Sequence, residues 1–424
     1  MIKSKKPHVL VTINEGRMVR DLLEHAFIQK MCDSGYQITI LCPNPQALES
    51  MNRWNHQDVR WIRWVPPFEM GRLQKRAFYV RRLLGEKINK TAYQWMYQLE
   101  QFYDRSCDFT AIDLLKHLQP DIYLSTNMNR FDEEPFVRAA RYLGIKTIGL
   151  VRSWDNVYKG LYSHPDRVLV WNSINQKEVI QLDAYSTNQV SIIGPIQFDS
   201  YFDPHVILEK KDFCKQLKLD PKKPILTLAT IGQYFQFYDE TYLPDYLMSL
   251  IQKKQIDPHT QLVIRLHPWS HYEQFARFLK YKNVRLSYID RYVPAMSWLM
   301  FREDMIFMAN LLKHSDAIVT AGSTVLLEAC VFDTPVLMPV FHPVIPEFTK
   351  WFYHHAVLTK HYKHLVENKY VLLDEQPESF SKNLKYSLEN RSYYQKERQA
   401  ILNLYVPYCD GKSVDRLCEE VINY

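Results

Sequence analysis

Residues 315–339, S-D-A-I-V-T-A-G-S-T-V-L-L-E-A-C-V-F-D-T-P-V-L-M-P, carry the first candidate chemistry of the chain. Residues 317–320 read as a short buried strand, 321–324 as a tight turn, 325–331 as a helix and 335–338 as the next strand. Small residues in such a turn leave backbone N–H groups bare at a helix N-terminus, where unpaired donors and partial positive charge suit a phosphate. Gly322 keeps the turn small, and Ser323 and Thr324 add two hydroxyls. Glu328 lies one helical turn on and points back to the same end, where it can accept hydrogen bonds from ribose hydroxyls. The same letters also fit a capped helix that binds nothing. Upstream, residues 261–266 form an apolar strand containing Arg265, and it runs straight into His267-Pro268. Ligands of open α/β sheets sit at the carboxyl ends of strands, so His267 and Ser323 share a site if their strands are close.

Three further positions have chemical potential. The loop Asn14-Glu15-Gly16-Arg17 follows the first strand, and Gly16 lets the backbone turn sharply and leave Glu15 exposed at the strand end. A carboxylate there is a proton acceptor or a helix-capping acid. Asp155, in the loop S-W-D-N, is either a cleft residue or a turn-former. Gly232, in the loop after residues 225–230, leaves room for a diphosphate from the other side.

A strand ending in His-Pro, followed by a Ser-Thr turn and a helical Glu, resembles the nucleotide half of GT-B glycosyltransferases. The resemblance is strongest to the bacterial sialyl- and polysialyltransferases, the Kdo transferases and the CDP-glycerol glycerophosphotransferases. The run S-W-D-N…K-G, D-R-V-L-V-W-N, G-P-I-Q-F-D is similar to many GT-B proteins of surface-glycan synthesis, capsule or lipopolysaccharide. Asp410-Gly411 before a terminal helix bearing Arg416 resembles the ending of the glycerophosphotransferases, which makes Asp410 and Arg416 structural or phosphate-side candidates. The resemblance implies an α/β, GT-B fold with two Rossmann-like domains facing a central cleft. It further implies that His267, Ser323 and Thr324 hold the donor phosphate, with Gly232, Arg265, Gly322 and Glu328 completing the nucleotide set. Glu15, placed like the general base of the Kdo transferases, and Asp155 complete the catalytic candidates beside His267. The implied reaction transfers a sugar or polyol phosphate from a CMP-, CDP- or UDP-linked donor to a glycan or lipid-linked acceptor. Two other readings stay open: a non-hydrogen-transferring UDP-GlcNAc 2-epimerase, and a non-catalytic nucleotide-sugar binder. The epimerase pattern has paired glycines and two adjacent glutamates, whereas this chain has G-S-T-V-L-L-E with Glu328 alone.

The elements that position these residues follow a repeating pattern. Strands are expected at 8–13, 37–42, 121–125, 146–151, 167–171, 190–193, 225–230, 261–266, 284–288, 317–320 and 335–338, with helices between them, including one over 18–33. Residues 61–118 read as mostly helical. The proline- and charge-rich stretch 201–223 reads as an interdomain link between an acceptor-side domain (1–200) and a donor domain (224–390), with 391–424 a helical segment that packs back on the first domain.

At 424 residues the chain suits two domains, and its 46% hydrophobic content excludes disorder. No apolar run approaches the roughly 18 residues of a membrane helix, and no signal-peptide core follows the basic start, which together imply a cytoplasmic protein. Seven cysteines without a C-x-x-C pair read as reduced thiols. The net charge of +6 is modest, but residues 72–82 are basic with interleaved aromatics. That stretch matches no nucleic-acid module; it fits an anionic membrane surface, a phosphorylated acceptor or a plain solvated helix. The absence of D-x-D, H-E-x-x-H and Cys/His clusters implies chemistry without a metal or other cofactor. Neither the G-K-S near the C-terminus nor the single-glycine first loop fits a nucleotide fingerprint. His342-Pro343 reads as a loop, and the adjacent His354 and His355 make a poor ligand pair.

Overall fold

The computed structural model describes residues 6–64, 72–84, 90–103, 109–232, 240–291, 293–342, 345, 347 and 360–424. His354, His355, Pro343 and Cys107 lie outside the described residues. Two compact units form: one comprises Met1–Asp199, Tyr292–Phe301 and Val406–Tyr424, the other Ser200–Arg291 and Arg302–Tyr405.

The first unit is built on seven parallel strands: β1 (His8–Thr12), β2 (Gln37–Cys42), β3 (Val59–Arg63), β4 (Ile122–Ser125), β5 (Lys146–Leu150), β6 (Arg167–Val170) and β7 (Val190–Ile192). Their spatial order is β3-β2-β1-β4-β5-β6-β7. The second has six: β8 (Ile225–Ala229), β9 (Gln261–Arg265), β10 (Val284–Ser287), β11 (Ala317–Val319), β12 (Val336–Pro339) and β13 (Leu372–Asp374), ordered β10-β9-β8-β11-β12-β13. Central strands such as β4, I-Y-L-S, and β8, I-L-T-L-A, are buried throughout, as parallel strands covered on both faces must be. In each sheet the order reverses beside the first strand, between β1 and β4 and between β8 and β11. Ligands of doubly wound sheets bind at that reversal.

The strands missing from the sequence expectation are β3 and β13, one at an edge of each sheet. V-R-W-I-R is half-exposed with two arginines, and L-L-D has three residues, so neither shows the apolar run of a central strand. The expected helix over 18–33 is broken. Val19–Leu23 is a π turn and Ala26 takes φ 62°, after which α1 (Phe27–Asp33) begins. Such π turns widen a helix locally and recur at functional sites.

Residues 201–223, read above as a link, lie in the second unit and contain the helix Lys210–Leu217. The C-terminal segment divides. Gln395–Tyr405 is a helix of the second unit, whereas α2 (Ser413–Ile422) buries Leu417 and Val421 in the first unit's core beside Leu22 and Met31. Asp199 fixes the start of α2 by accepting from the N–H groups of Ser413 at 3.0 Å and Val414 at 2.8 Å. Met296 and Leu299 of the segment Tyr292–Phe301 join the same core. Among the described residues, no helix is long and apolar enough to cross a membrane.

Candidate functional site

In the second unit the candidate residues gather at one end of one sheet. His267 follows β9, Gly232 follows β8 and the Gly322–Thr324 turn follows β11, and β8 lies between the other two strands. His267 is half-buried and donates its N–H to Thr230 Oγ1 at 2.7 Å. Its Nδ1 accepts the N–H of Trp269 at 3.2 Å, which leaves Nε2 to carry the proton of the neutral ring. Gly232, at φ 77°, is required where it stands: a Cβ there would lie 2.6 Å from His267 Nδ1 and 3.0 Å from Trp269 Cβ. The backbone N–H groups of Gly232 and Ile231 already have a partner. Glu240 takes the first at 2.9 Å and the second at 2.7 Å.

The turn after β11 is as tight as its small residues suggest. Gly322 has φ 115°, and a Cβ there would meet Met338 Cε at 2.9 Å and Tyr362 Oη at 3.0 Å. Ser323 Oγ accepts the N–H of Val325 at 3.2 Å, while Thr324 makes no side-chain cap bond. Both are half-buried. Glu328 is buried and accepts from the hydroxyl of Tyr201 at 3.1 Å. Arg265 donates to Ser287 Oγ at 3.0 Å, and burial holds its guanidinium below the usual range against the pull of Asp304, Tyr201 and Glu328.

The reversal in the first unit is charged. Glu15 is not exposed, as its loop suggested, but buried at 3% exposure. Gly16 has no left-handed φ; a Cβ there would stand 2.3 Å from the backbone of Leu299, so the glycine is required by close approach of the Tyr292–Phe301 segment. Its N–H donates to Ser297 O at 2.8 Å, which seals the loop. Arg17 grips both Glu15 oxygens at 2.9 and 2.7 Å and lies over the Trp298 ring at 4.1 Å. Asn127 donates to Glu15 Oε1 at 3.3 Å, with Arg130 at 3.7 Å and Arg152 at 3.8 Å from the carboxylate. Burial opposes ionisation of Glu15, but Arg17, then Arg152 and Arg130, outweigh it and hold the carboxyl below its usual range.

Behind this cluster Glu133 is fully buried and accepts from Ser125 Oγ at 2.5 Å, Asn14 Nδ2 at 3.2 Å and Thr126 Oγ1 at 3.3 Å. Burial pushes it up to about 7. Sequence reasoning passed over Asn127, Arg130, Arg152 and Glu133. The signal was present: N-M-N-R follows the apolar run of β4, and the strand-end rule applied to His267 applies there too.

Asp155 is half-buried at the start of the short helix Asn156–Lys159, where its Oδ1 accepts from Asn156 Nδ2 at 3.3 Å without capping the helix. Asp410 and Arg416 pair with each other, and Arg416 also donates to Ile193 O at 3.2 Å and lies over Tyr408 at 3.9 Å, a structural tie. The basic stretch forms part of the helix Arg72–Leu84, which exposes Arg72, Lys75 and Arg76 but turns Arg81 inward to within 3.7 Å of Asp183.

No protein-family profile and no curated protein matches the chain. Solved structures do. The UDP-GlcNAc 2-epimerase of Neisseria meningitidis, solved with UDP-GlcNAc, is 14% identical, with 98% of this chain and 100% of that one covered at a TM-score of 0.60. The MnaA–UDP structure of S. aureus is 11% identical over 98% and 96% at 0.57. A glycosyltransferase of Rickettsia africae is 11% identical over 99% and 99% at 0.54. At such identities the likeness concerns the fold: the chain has the two-domain α/β fold of the GT-B class.

Proposed function

We propose that the protein is a glycosyltransferase that binds a CMP-, CDP- or UDP-linked donor on its second unit and passes the sugar or polyol phosphate to a hydroxyl of a surface-glycan or lipid-linked acceptor. The observation that carries this is the placement of His267, Gly232 and the Ser323-Thr324 turn after three adjacent strands at the reversal of one sheet. The leaving nucleotide gains negative charge as its bond to the sugar breaks. A ring N–H and two hydroxyls held at the carboxyl ends of three adjacent strands stabilise that charge by hydrogen bonds, without a divalent ion. Glu328, steadied by Tyr201, receives the ribose hydroxyls, and Arg265 adds positive charge beneath.

The acceptor hydroxyl must lose a proton. Glu15, the first candidate on sequence, has both oxygens held by Arg17 and is depressed in basicity. Asp155 has more access to solvent, and in this reading it takes the proton while Glu15 orients the arginines. The exposed Arg72, Lys75 and Arg76, with Tyr79 beside them, suit a cytoplasmic protein resting on an anionic membrane surface.

The epimerase reading draws support from the neighbours, since the Neisseria enzyme covers the whole fold and carries UDP-GlcNAc. One pair of measurements separates the two. Thermal shifts with CMP, CDP, UDP and GDP identify the base, because a ligand bound only by the folded state raises the melting temperature. The matching nucleotide sugar is then incubated with EDTA, with and without a glycan acceptor. Product only with acceptor supports transfer, epimer formed without acceptor supports epimerisation, and no shift with any nucleotide overturns both.

A further inference from the structure

The first unit contains a small, solvent-open pocket lined by Asp21, Thr126, Arg152, Trp171, Ile196 and Gln197 among others. The charges that line it, Asp21 and Arg152, and the arginines paired nearby are unevenly matched. Arg20 is spent on Asp21 and Gln197, each at 2.5 Å. Arg130 grips Asp132 at 2.5 to 3.0 Å, and Arg17 grips Glu15. Arg152 is left with a share of Glu15 at 3.8 Å, beyond hydrogen-bonding distance, and its buried Nε has no hydrogen-bond partner among the described residues. A guanidinium carries five N–H donors in a planar fork, and burying one unsatisfied is costly unless a ligand completes it. Burial and the charge of Arg17 push Arg152 down to about 10, so it stays protonated at neutral pH.

We propose that this pocket is an oxyanion subsite in which Arg152 receives a carboxylate or phosphate group carried by the acceptor. The pocket is small and suits a single oxyanion group rather than a nucleotide. Thr126 and Gln197 supply neutral polar groups and Trp171 an apolar wall. A planar fork matched to two oxygens explains why arginine, not lysine, stands here. The neutralised Asp21 admits an anion because Arg20 already holds it. The word acceptor rests on the transfer reading above; the anion site itself does not.

The test uses the full chain without nucleotide. Melting temperature and calorimetric binding are measured with glucuronate, inorganic phosphate, neutral glucose, and chloride at matched ionic strength. Glucuronate or phosphate should raise the melting temperature above chloride while glucose does not. Stabilisation by glucuronate alone assigns an acidic-sugar acceptor, by phosphate alone a phosphorylated one, and by both the shared oxyanion. Arg152→Ala and the milder Arg152→Gln should each weaken binding about ten- to a hundred-fold. Arg277→Ala, which removes an exposed surface charge of the second unit, should leave it unchanged. No effect of either oxyanion on the parent protein, or equal binding in the folded Arg152 variants, overturns the subsite. Nucleotide shifts retained alongside that failure leave the transfer reading standing.

Discussion

Three arginines around a buried glutamate stand where the strand order of the first sheet reverses; a histidine, two hydroxyls and two glycines stand at the same place in the second. Both sheets use the same order of their first strands, so the backbone prepares two equivalent ends, and side chains alone make them different. The first end is full and strongly charged: Glu15 is wrapped, and Gly16 is sealed against Ser297. The second carries fewer charges, with a histidine and two hydroxyls at its strand ends and Thr324 making no side-chain cap bond. A site that grips a leaving phosphate needs donors free to turn outward, whereas a site that selects a charged acceptor needs fixed charge.

The largest expected effect would break the assignment of roles within the first unit. Asp155→Asn should lower turnover by about a hundred- to ten-thousand-fold with unchanged nucleotide affinity and melting temperature. Glu15→Gln should instead lower stability, by about 3 kcal/mol, because it leaves Arg17, Arg130 and Arg152 without their shared anion. A Glu15→Gln protein that melts normally but loses turnover, beside an active Asp155→Asn, would restore Glu15 as the base.

The next effect contrasts the two units through pH. Burial raises Glu133 from 4.5 to about 7 and Asp199 from 3.8 to about 6 in the first unit, and Asp374 from 3.8 to about 6 in the second. A carboxyl raised on folding binds its proton more tightly in the native state, so its stabilisation is complete below the unfolded value and is lost as pH climbs through the folded one. Glu133 therefore favours the folded state by about 3 kcal/mol more at pH 4 than at pH 8. Denaturant midpoints across that range should show Glu133→Gln with a flatter profile than the parent, and an unchanged slope would remove Glu133 as its source.

Most strands were legible because each central strand of a parallel sheet is an apolar run closed by polar or small residues. H-V-L-V-T and Q-L-V-I-R leave little choice. The edge strands V-R-W-I-R and L-L-D were not, since one face of an edge need not be apolar. The second unit's candidate cluster was readable because its residues follow their strands within a few positions. The first unit's was readable only at Glu15 and Asp155. Its arginines come from three separate loops, and the lid over Gly16 comes from residues 292–301, some 280 positions away. No local spacing records that Gly16 faces Leu299. The pull of Arg17 on Glu15 reverses what a bare strand-end carboxylate suggests.

A third prediction sharpens the second unit's share. His267→Ala removes a donor to phosphate worth about 1.5–3 kcal/mol, a ten- to hundred-fold loss of nucleotide affinity. The vacated space lies against Gly232, where an added Cβ would stand 2.6 Å from the ring, so Gly232 has room to relax and the fold should survive. Calorimetry on the folded variant decides it; unchanged affinity would detach His267 from the phosphate.

The smallest effect concerns the ribose. Tyr201 donates its hydroxyl to Glu328 Oε2 at 3.1 Å, and its ring packs on Phe332 with centroids 5.4 Å apart. Tyr201→Phe keeps the packing and deletes only the hydrogen bond, so Glu328 loses a restraint on its orientation worth about 1 kcal/mol. If Glu328 receives ribose hydroxyls, that loss should fall on ribonucleotides, about five-fold in affinity, and spare the 2′-deoxy forms, which present one hydroxyl fewer to the carboxylate. Isothermal titration of both nucleotide forms against both proteins measures the difference. An equal loss for the two forms would make Tyr201 and Glu328 a packing pair beneath Arg265 with no part in reading the sugar, and would leave recognition in the second unit to His267 and the Ser323-Thr324 turn.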